Sequence, residues 1–296
     1  MAMECAAEAP PSRRERARQA WTEFWREPGQ TRCASGAPAV WHVLQAHWQA
    51  FATGLSPGAR VLDLCCGAGA AAQVIAAARD DVRIVGVDHA DIPLLTHQRI
   101  DLLPNTAAEA LPFDDGSFDA VVSQFGYEYC HLENAATETR RVLAAQGKVW
   151  LLVHHAGSSI VATNRMRLDA IAMMLREGVG SAFCTGDADA LEAELASLSG
   201  KFPDDPLVVQ FARSLASRLG REQPHRVAIW GRIKEALAPE RDVLLDLLEC
   251  CVAPEEMGDW LAPLSRSCTV HSATALYDRN CDPIAWAIVG APKPAR

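Results

Sequence analysis

Between Gly58 and His154, short apolar runs alternate with helical patterns, and this rhythm limits the possible folds more than any other feature of the chain. Arg60–Leu64, Val82–Asp88, Ile100–Leu103, Asp119–Phe125 and Lys148–His154 read as strands. Ala68–Arg79, Asp91–Gln98 and Glu133–Ala144 read as the helices between them. The strands are apolar along their length instead of alternating, the pattern of strands buried on both faces. The spacing therefore predicts an α/β fold with a doubly wound, mostly parallel sheet covered by helices on both sides. Cys268–Tyr277 and Pro283–Val289, with a turn near Asn280, read as an antiparallel hairpin that brings the sheet to seven strands.

Two helical regions interrupt or precede this pattern. Ser12–Arg26 and Pro38–Thr53 carry apolar residues at helical spacing, with Trp21, Trp25, Trp41 and Trp48 among them and a turn at Pro28-Gly29. Residues 1–11 read as a frayed end. Residues 156–265 show helical patterns at Ser159–Glu177, Ala188–Leu198, Asp205–Leu219, Arg226–Leu237 and Arg241–Cys251, punctuated by Pro203, Pro206, Pro224, Pro239 and Pro254. Gly178, Gly180, Gly186, Gly200 and Pro203 mark 178–207 as loose chain. The expected division is an N-terminal helical segment (1–55), an α/β core (56–155 and 266–296) and a helical cap inserted between its parts (156–265), which together with the tryptophan-rich helices roofs a ligand pocket.

Composition narrows the function. Of 296 residues, 49% are hydrophobic and 22% charged, which suits a globular chain with a large core. The net charge of −9 argues against a nucleic-acid binder. No run is long and apolar enough for a membrane span, and the Arg- and Glu-rich start has no signal-peptide core. Adjacent Cys65-Cys66 and Cys250-Cys251 make poor disulfide partners, so a reducing, cytoplasmic setting is expected. No Cys-x-x-Cys pattern points to zinc, and no metal site is expected. A homo-oligomer is compatible with the sequence.

The first strand runs into a small-residue turn, Leu64-Cys65-Cys66-Gly67-Ala68-Gly69, and then a helix whose first N–H groups are free. Asp88 closes the next strand, 21 residues after Gly67, where a carboxylate can hold ribose hydroxyls. The arrangement suits an adenosine-type cofactor. Gly67-Ala68-Gly69-Ala70-Ala71-Ala72 also fits a dinucleotide fingerprint, but Asp63 opposes a pyrophosphate and favours a ligand that carries positive charge.

Three motifs then line up. Val61-Leu62-Asp63-Leu64-Cys65-Cys66-Gly67-Ala68-Gly69 resembles motif I of class I S-adenosylmethionine-dependent methyltransferases, and its Cys-Cys variant is similar to that of the ubiquinone/menaquinone C-methyltransferases. Glu109-Ala110-Leu111-Pro112-Phe113-Asp114-Asp115-Gly116-Ser117-Phe118-Asp119 resembles the segment leading into the family's fourth strand, and Arg141-Val142-Leu143 before Gly147 its helix-to-strand turn. The resemblance covers about 55–155 and the closing hairpin. It implies a Rossmann-like methyltransferase fold, S-adenosylmethionine as cofactor and a small-molecule acceptor; a nucleic-acid methyltransferase and a non-catalytic relative that keeps the fold are the alternatives. Carried over, Asp63, Cys65, Gly67 and Gly69 would border the methionine moiety, Asp88 the ribose, and His89 the adenine. Ala108 and Glu109 would lie at the adenine edge, with Gln124 and Phe125 beside the sulfonium. Many relatives carry an Asp where this chain has Ala107, so a backbone carbonyl or Asn105 would have to receive the adenine amino group.

Ligands of doubly wound sheets bind at the carboxyl ends of the strands. There the fourth and fifth strands carry Gln124–Tyr129 and His154-His155. Glu128 and His155 are the candidate general bases, and Tyr127 and Tyr129 the candidate walls of the acceptor pocket. Quinone methyltransferases follow their Phe-Gly with Arg-Asn; this chain has Glu128-Tyr129 after Tyr127, which suits an amine or hydroxyl acceptor better than a quinone.

Overall fold

A computed structural model describes residues 13–26 and 38–294. The turn expected at Pro28-Gly29 and the frayed residues 1–11 lie outside the described residues. The strands are β1 (Arg60–Leu64), β2 (Arg83–Val87), β3 (Ile100–Leu103), β4 (Phe118–Gln124), β5 (Leu143–His154), β6 (Cys268–Tyr277) and β7 (Pro283–Pro292). They form one seven-stranded sheet in the order β3-β2-β1-β4-β5-β7-β6. β1 to β5 are parallel to their neighbours, and β7 joins β5 and β6 antiparallel. The chain reverses direction at β1, where β2 and β4 flank the same strand and their carboxyl ends open a crevice.

Helices cover both faces. On one face, α2 (Pro38–Thr53) and α3 (Ala70–Ala78) pack together over Val61, Ile84, Ala120, Val122 and Leu152, with Trp48 fully buried among them. On the other, α4 (Leu132–Val142) covers Leu62, Val121, Val149 and Leu151. Successive strand side chains point to opposite faces, so Trp150 and Leu152 meet the first cluster while Val149, Leu151 and Val153 meet the second.

α1 (Arg13–Arg26) precedes the sheet, and between β5 and β6 run α5 (Ser159–Met174), α6 (Glu177–Thr185), α7 (Ala188–Lys201), α8 (Pro206–Arg218), α9 (Gln223–Cys250) and α10 (Met257–Ser267). A third apolar cluster is built from residues 170–244 alone, with Phe183, Leu198, Val208 and Leu215 buried at its centre. α10 instead packs on α4 and puts Met257 and Leu264 into the second sheet cluster.

Several expected elements differ. Asp91–Gln98 is not helical. Pro93 biases Ile92 away from helical geometry; Ile92 is tucked into the first cluster while Leu94 points outward. The loose chain expected over 178–207 is instead mostly α6 and α7. Its glycines are structural: a Cβ on Gly180 would strike the Trp230 ring at 2.7 Å, and Gly186, at φ +84°, caps α6 in the left-handed conformation. The two helices expected on either side of Pro239 are one 28-residue helix, α9. Proline removes one N–H and crowds the preceding turn, but packing of α9 against α1, α5 and α6 holds the helix through it. No described helix is long and apolar enough to cross a membrane.

Candidate active site

β1 buries Asp63 with only 1% of its surface exposed, and neither carboxylate oxygen has a hydrogen-bond partner among the described residues. Burial pushes its pKa up from 3.8 to about 8; the Ala72 backbone N–H, near the carboxylate but outside good hydrogen-bond geometry, opposes the rise, and the nearby Asp88 adds to it. The chain then turns sharply through Cys65 at φ +54°, Gly67 at φ +50° and Gly69 at φ +75°, where α3 begins. Asp88, at the end of β2, ties this turn down: the Gly67 N–H donates to Oδ2 at 2.9 Å and the Ala90 N–H to Oδ1 at 2.8 Å. Burial raises the Asp88 pKa to about 6, opposed by those two N–H donors.

The ends of β1 and β4 come very close together. A Cβ on Gly126 would lie 2.3 Å from the Cys65 Cβ, so only glycine fits there. Phe125 beside it is held at φ +56°, an uncommon conformation for a residue with a side chain. Cys65 and Cys130 place their sulfurs 3.5 Å apart across this junction.

Glu128 leaves β4 in the short helical turn Tyr127–Tyr129 and points back at β5. Its Oε1 accepts the backbone N–H of His154 at 3.0 Å and lies 2.7 Å from His154 Nδ1. Both side chains are fully buried, and Glu128 Oε2 and His154 Nε2 have no partner among the described residues. Phe125 stacks on the imidazole, with centroids 4.2 Å apart and planes 20° apart.

A cavity of about 500 Å³ lies over these strand ends, within the range of small-ligand sites. Of the sequence-derived candidates, Asp63, Cys65, Asp88, His89, Ala108, Glu109, Gln124, Phe125, Glu128 and Tyr129 line it. Gly67 and Gly69 shape its turn without lining it. Gln124 is anchored from behind, its Oε1 accepting from Trp48 Nε1 at 2.6 Å, and Glu109 Oε1 accepts the His131 N–H at 2.8 Å.

Three expectations are corrected here. Tyr127 is in the second apolar cluster, 1% exposed and away from the cavity, with its hydroxyl 3.5 Å from Thr139 Oγ1. The helical turn after β4 rotates it inward while Glu128 and Tyr129 face the cavity. His155 is likewise away from the cavity: it stacks on Trp286 at 4.6 Å, and its Nδ1 accepts the Gly157 N–H at 3.0 Å. Its position one step past the strand end turns it to the other side, and burial lowers its pKa. Asn105 does not line the cavity and accepts from Arg18 Nη1 at 3.3 Å.

The residues that sequence reasoning missed come partly from a distant segment and partly from beside the motifs themselves. Asp246 and Cys250 on α9 line the cavity, as do Cys66, Cys130 and His131. From the tryptophan-rich start, α1 borders the cavity through Ala17, Arg18, Trp21 and Trp25. Trp21 Nε1 donates to Asp246 Oδ2 at 3.2 Å, and the Trp25 ring occupies the space a Gly67 side chain would need. Arg26 pairs with Asp91 at 2.7 Å, and Thr22 Oγ1 accepts the Asp91 N–H at 3.0 Å.

Residues 62–151 match a family described as a methyltransferase domain. Over 192 residues the chain is 29% identical to the 2-phytyl-1,4-naphtoquinone methyltransferase of a Synechocystis species, covering 60% of this chain and 75% of that one. The α/β core of the chain thus carries a methyltransferase domain similar to that of these S-adenosylmethionine-dependent enzymes. The chain is also 33% identical to the ubiquinone/menaquinone biosynthesis C-methyltransferase of a Geobacter species, over 37% of its own length and about half (52%) of that relative's. In fold it is similar to the 1,6-didemethyltoxoflavin-N1-methyltransferase of Burkholderia thailandensis, solved with its acceptor and S-adenosylhomocysteine, at TM-score 0.51 and 10% identity over 97% of this chain and 94% of that one.

Proposed function

We propose that this methyltransferase methylates a small molecule enclosed between the strand ends, α1 and the last turns of α9. The observation that carries the reading is Asp63: two buried carboxylate oxygens without partners, beside a glycine turn and facing a cavity, are matched by a cationic ligand. S-adenosylmethionine, when bound, supplies an electrophilic methyl group on a sulfonium. Asp63 and Cys65 would border its methionine end, with Gly67 and Gly69 shaping the turn there. Asp88 would hold the ribose. His89, Ala108 and Glu109 would surround the adenine, with Gln124 and Phe125 beside the sulfonium. Glu128 and Tyr129 then face the acceptor. α1 and the helices between β5 and β6 act as the cap that excludes water. The naphthoquinone and toxoflavin-precursor enzymes it resembles are named for small acceptors, which supports an acceptor of that size. Glu128-Tyr129 supports one with a hydroxyl or amine nucleophile.

Titration calorimetry with S-adenosylhomocysteine tests the site. The wild type is expected to bind, and Asp88→Ala to bind roughly tenfold or more weakly, since each charge-assisted hydrogen bond is worth about 1.5–3 kcal/mol. Unchanged affinity would remove Asp88 from the ribose. A second measurement follows methyl transfer from labelled S-adenosylmethionine to a panel of phenols and amines.

A further inference from the structure

We infer that His154 is a positioning residue of the methyl-transfer centre, holding Glu128 so that a single carboxylate oxygen is left to receive the acceptor's proton; this rests on the functional reading above. The sequence pattern pointed to His155, but the structure couples the other histidine to the site. Two donors from the same residue converge on Glu128 Oε1: the His154 N–H at 3.0 Å and the ring nitrogen Nδ1 at 2.7 Å. The backbone donor belongs to β5, which is hydrogen-bonded on both sides by β4 and β7, so it cannot swing away. A carboxylate gripped at one oxygen by two such donors has lost its rotation about the terminal bond.

The imidazole is fixed as firmly. It is fully buried, and Phe125 lies parallel on its face. A carboxylate oxygen that accepts the His154 N–H and lies this close to Nδ1 sets the tautomer, with the ring proton on Nδ1. Glu128 lines the cavity and His154 does not; Oε2, covered in the free protein, is the unpartnered oxygen of the pair and the one an acceptor entering beside Glu128 would meet.

The step assigned to the pair is small and balanced. An acceptor with a hydroxyl or amine nucleophile donates its proton to Glu128 Oε2. The oxygen or nitrogen lone pair forms the new bond to the methyl carbon, the carbon–sulfur bond breaks, and its electron pair stays on sulfur. The proton remains on Glu128 until it leaves for solvent with the product. His154 holds Oε1 throughout and touches neither acceptor nor cofactor.

The test uses the full chain saturated with S-adenosylhomocysteine and two probes, 4-methylphenol and 4-methylanisole, in which the phenol's proton is replaced by a methyl group. In the wild type the phenol is expected to bind about tenfold more tightly than the ether, the worth of one charge-assisted hydrogen bond to Oε2. His154→Leu leaves the backbone donor but frees the carboxylate, and the preference should fall close to one. His154→Asn places an amide donor near the Nδ1 position and should restore most of it. Once an acceptor is known, His154→Leu should lower kcat about 100-fold, as a misplaced catalytic group does, with KM changed less than threefold. A wild type that shows no preference for the phenol, or a phenol preference that survives in His154→Leu, overturns the inference. If His154→Leu does not fold, His154→Asn and Glu128→Gln decide it: loss of the preference in Glu128→Gln alone supports it, and retention in Glu128→Gln overturns it. Failure of the wild type to bind S-adenosylhomocysteine would instead overturn the parent reading.

Discussion

The two sides of the cleft satisfy their carboxylates differently. At the ends of β1 and β2, Asp88 has an N–H donor on each oxygen while its neighbour Asp63 has a partner on neither. At the ends of β4 and β5, Glu128 is divided: Oε1 carries two donors and Oε2 none. An acid whose oxygens are all met by backbone is a fixed fitting, which shapes a turn and offers only its remaining lone pairs. A wholly unmet buried acid is a demand for positive charge. A half-met acid is aimed, with one oxygen held and one free to exchange a proton. On the reading proposed above, the contrast separates a side that holds a cation from a side that moves a proton.

The largest expected break of this contrast is Glu128→Gln. It removes the proton acceptor and keeps the shape, so turnover should fall about 10²–10⁴-fold. Affinity for S-adenosylhomocysteine should stay nearly unchanged, and calorimetry alongside steady-state kinetics checks both. A parallel loss of cofactor affinity would mean that the two sides are not separable.

Asp63→Asn probes the other side through pH. With its folded pKa near 8 and its ordinary value at 3.8, Asp63 is protonated in the folded chain and ionised in the unfolded chain between those limits. The unfolded state therefore binds fewer protons, and stability of the free protein falls as pH rises from about 4 to about 8, then levels off. Asp88, near 6, adds to the fall over the lower half of that window. A bound ammonium or sulfonium calls for the ionised form, so binding releases a proton. Affinity for S-adenosylmethionine should then rise by up to about tenfold per pH unit between pH 6 and 8. Melting curves from pH 5 to 8 and calorimetry in two buffers of different ionisation enthalpy measure the two slopes. Above pH 6 both should flatten in Asp63→Asn; slopes that survive there assign the titration elsewhere.

The smallest expected effect belongs to the roof shared by both sides. Trp25→Ala uncovers Gly67 and should weaken S-adenosylhomocysteine binding by only a few-fold, mainly through faster dissociation, which stopped-flow fluorescence can follow. A change confined to the association rate would contradict a roof.

The sequence reading was accurate where one local pattern had one structural solution. β3 and β6 match their expected limits, and the glycine turn with Asp88 after it is where the strand–turn–helix spacing put it. Legibility fell where long-range packing decided the outcome. Pro239 argues locally for a break, yet α9 runs through it because three helices support it. Glu128 was visible as an acid at a strand end, but its partner was not, because the pairing spans 26 residues and joins two strands. Strand parity carried a usable signal: His154 shares the side of Trp150 and Leu152, the side that Phe125 also joins, whereas His155 falls outside the ladder. Nothing in the chain near Gly126 announces that Cys65 will crowd it, and nothing near Asp246 places it beside Trp21.

The anchoring of α1 also has a kinetic consequence. The helix is fastened at Asp91 by Arg26 and Thr22 and at Asp246 by Trp21, so its two attachments lie on opposite banks of the cleft. On the reading proposed above, a ligand enclosed beneath α1 leaves only when both fastenings let go. Residence there then depends on how often the helix lifts as well as on how firmly the strand ends hold the ligand.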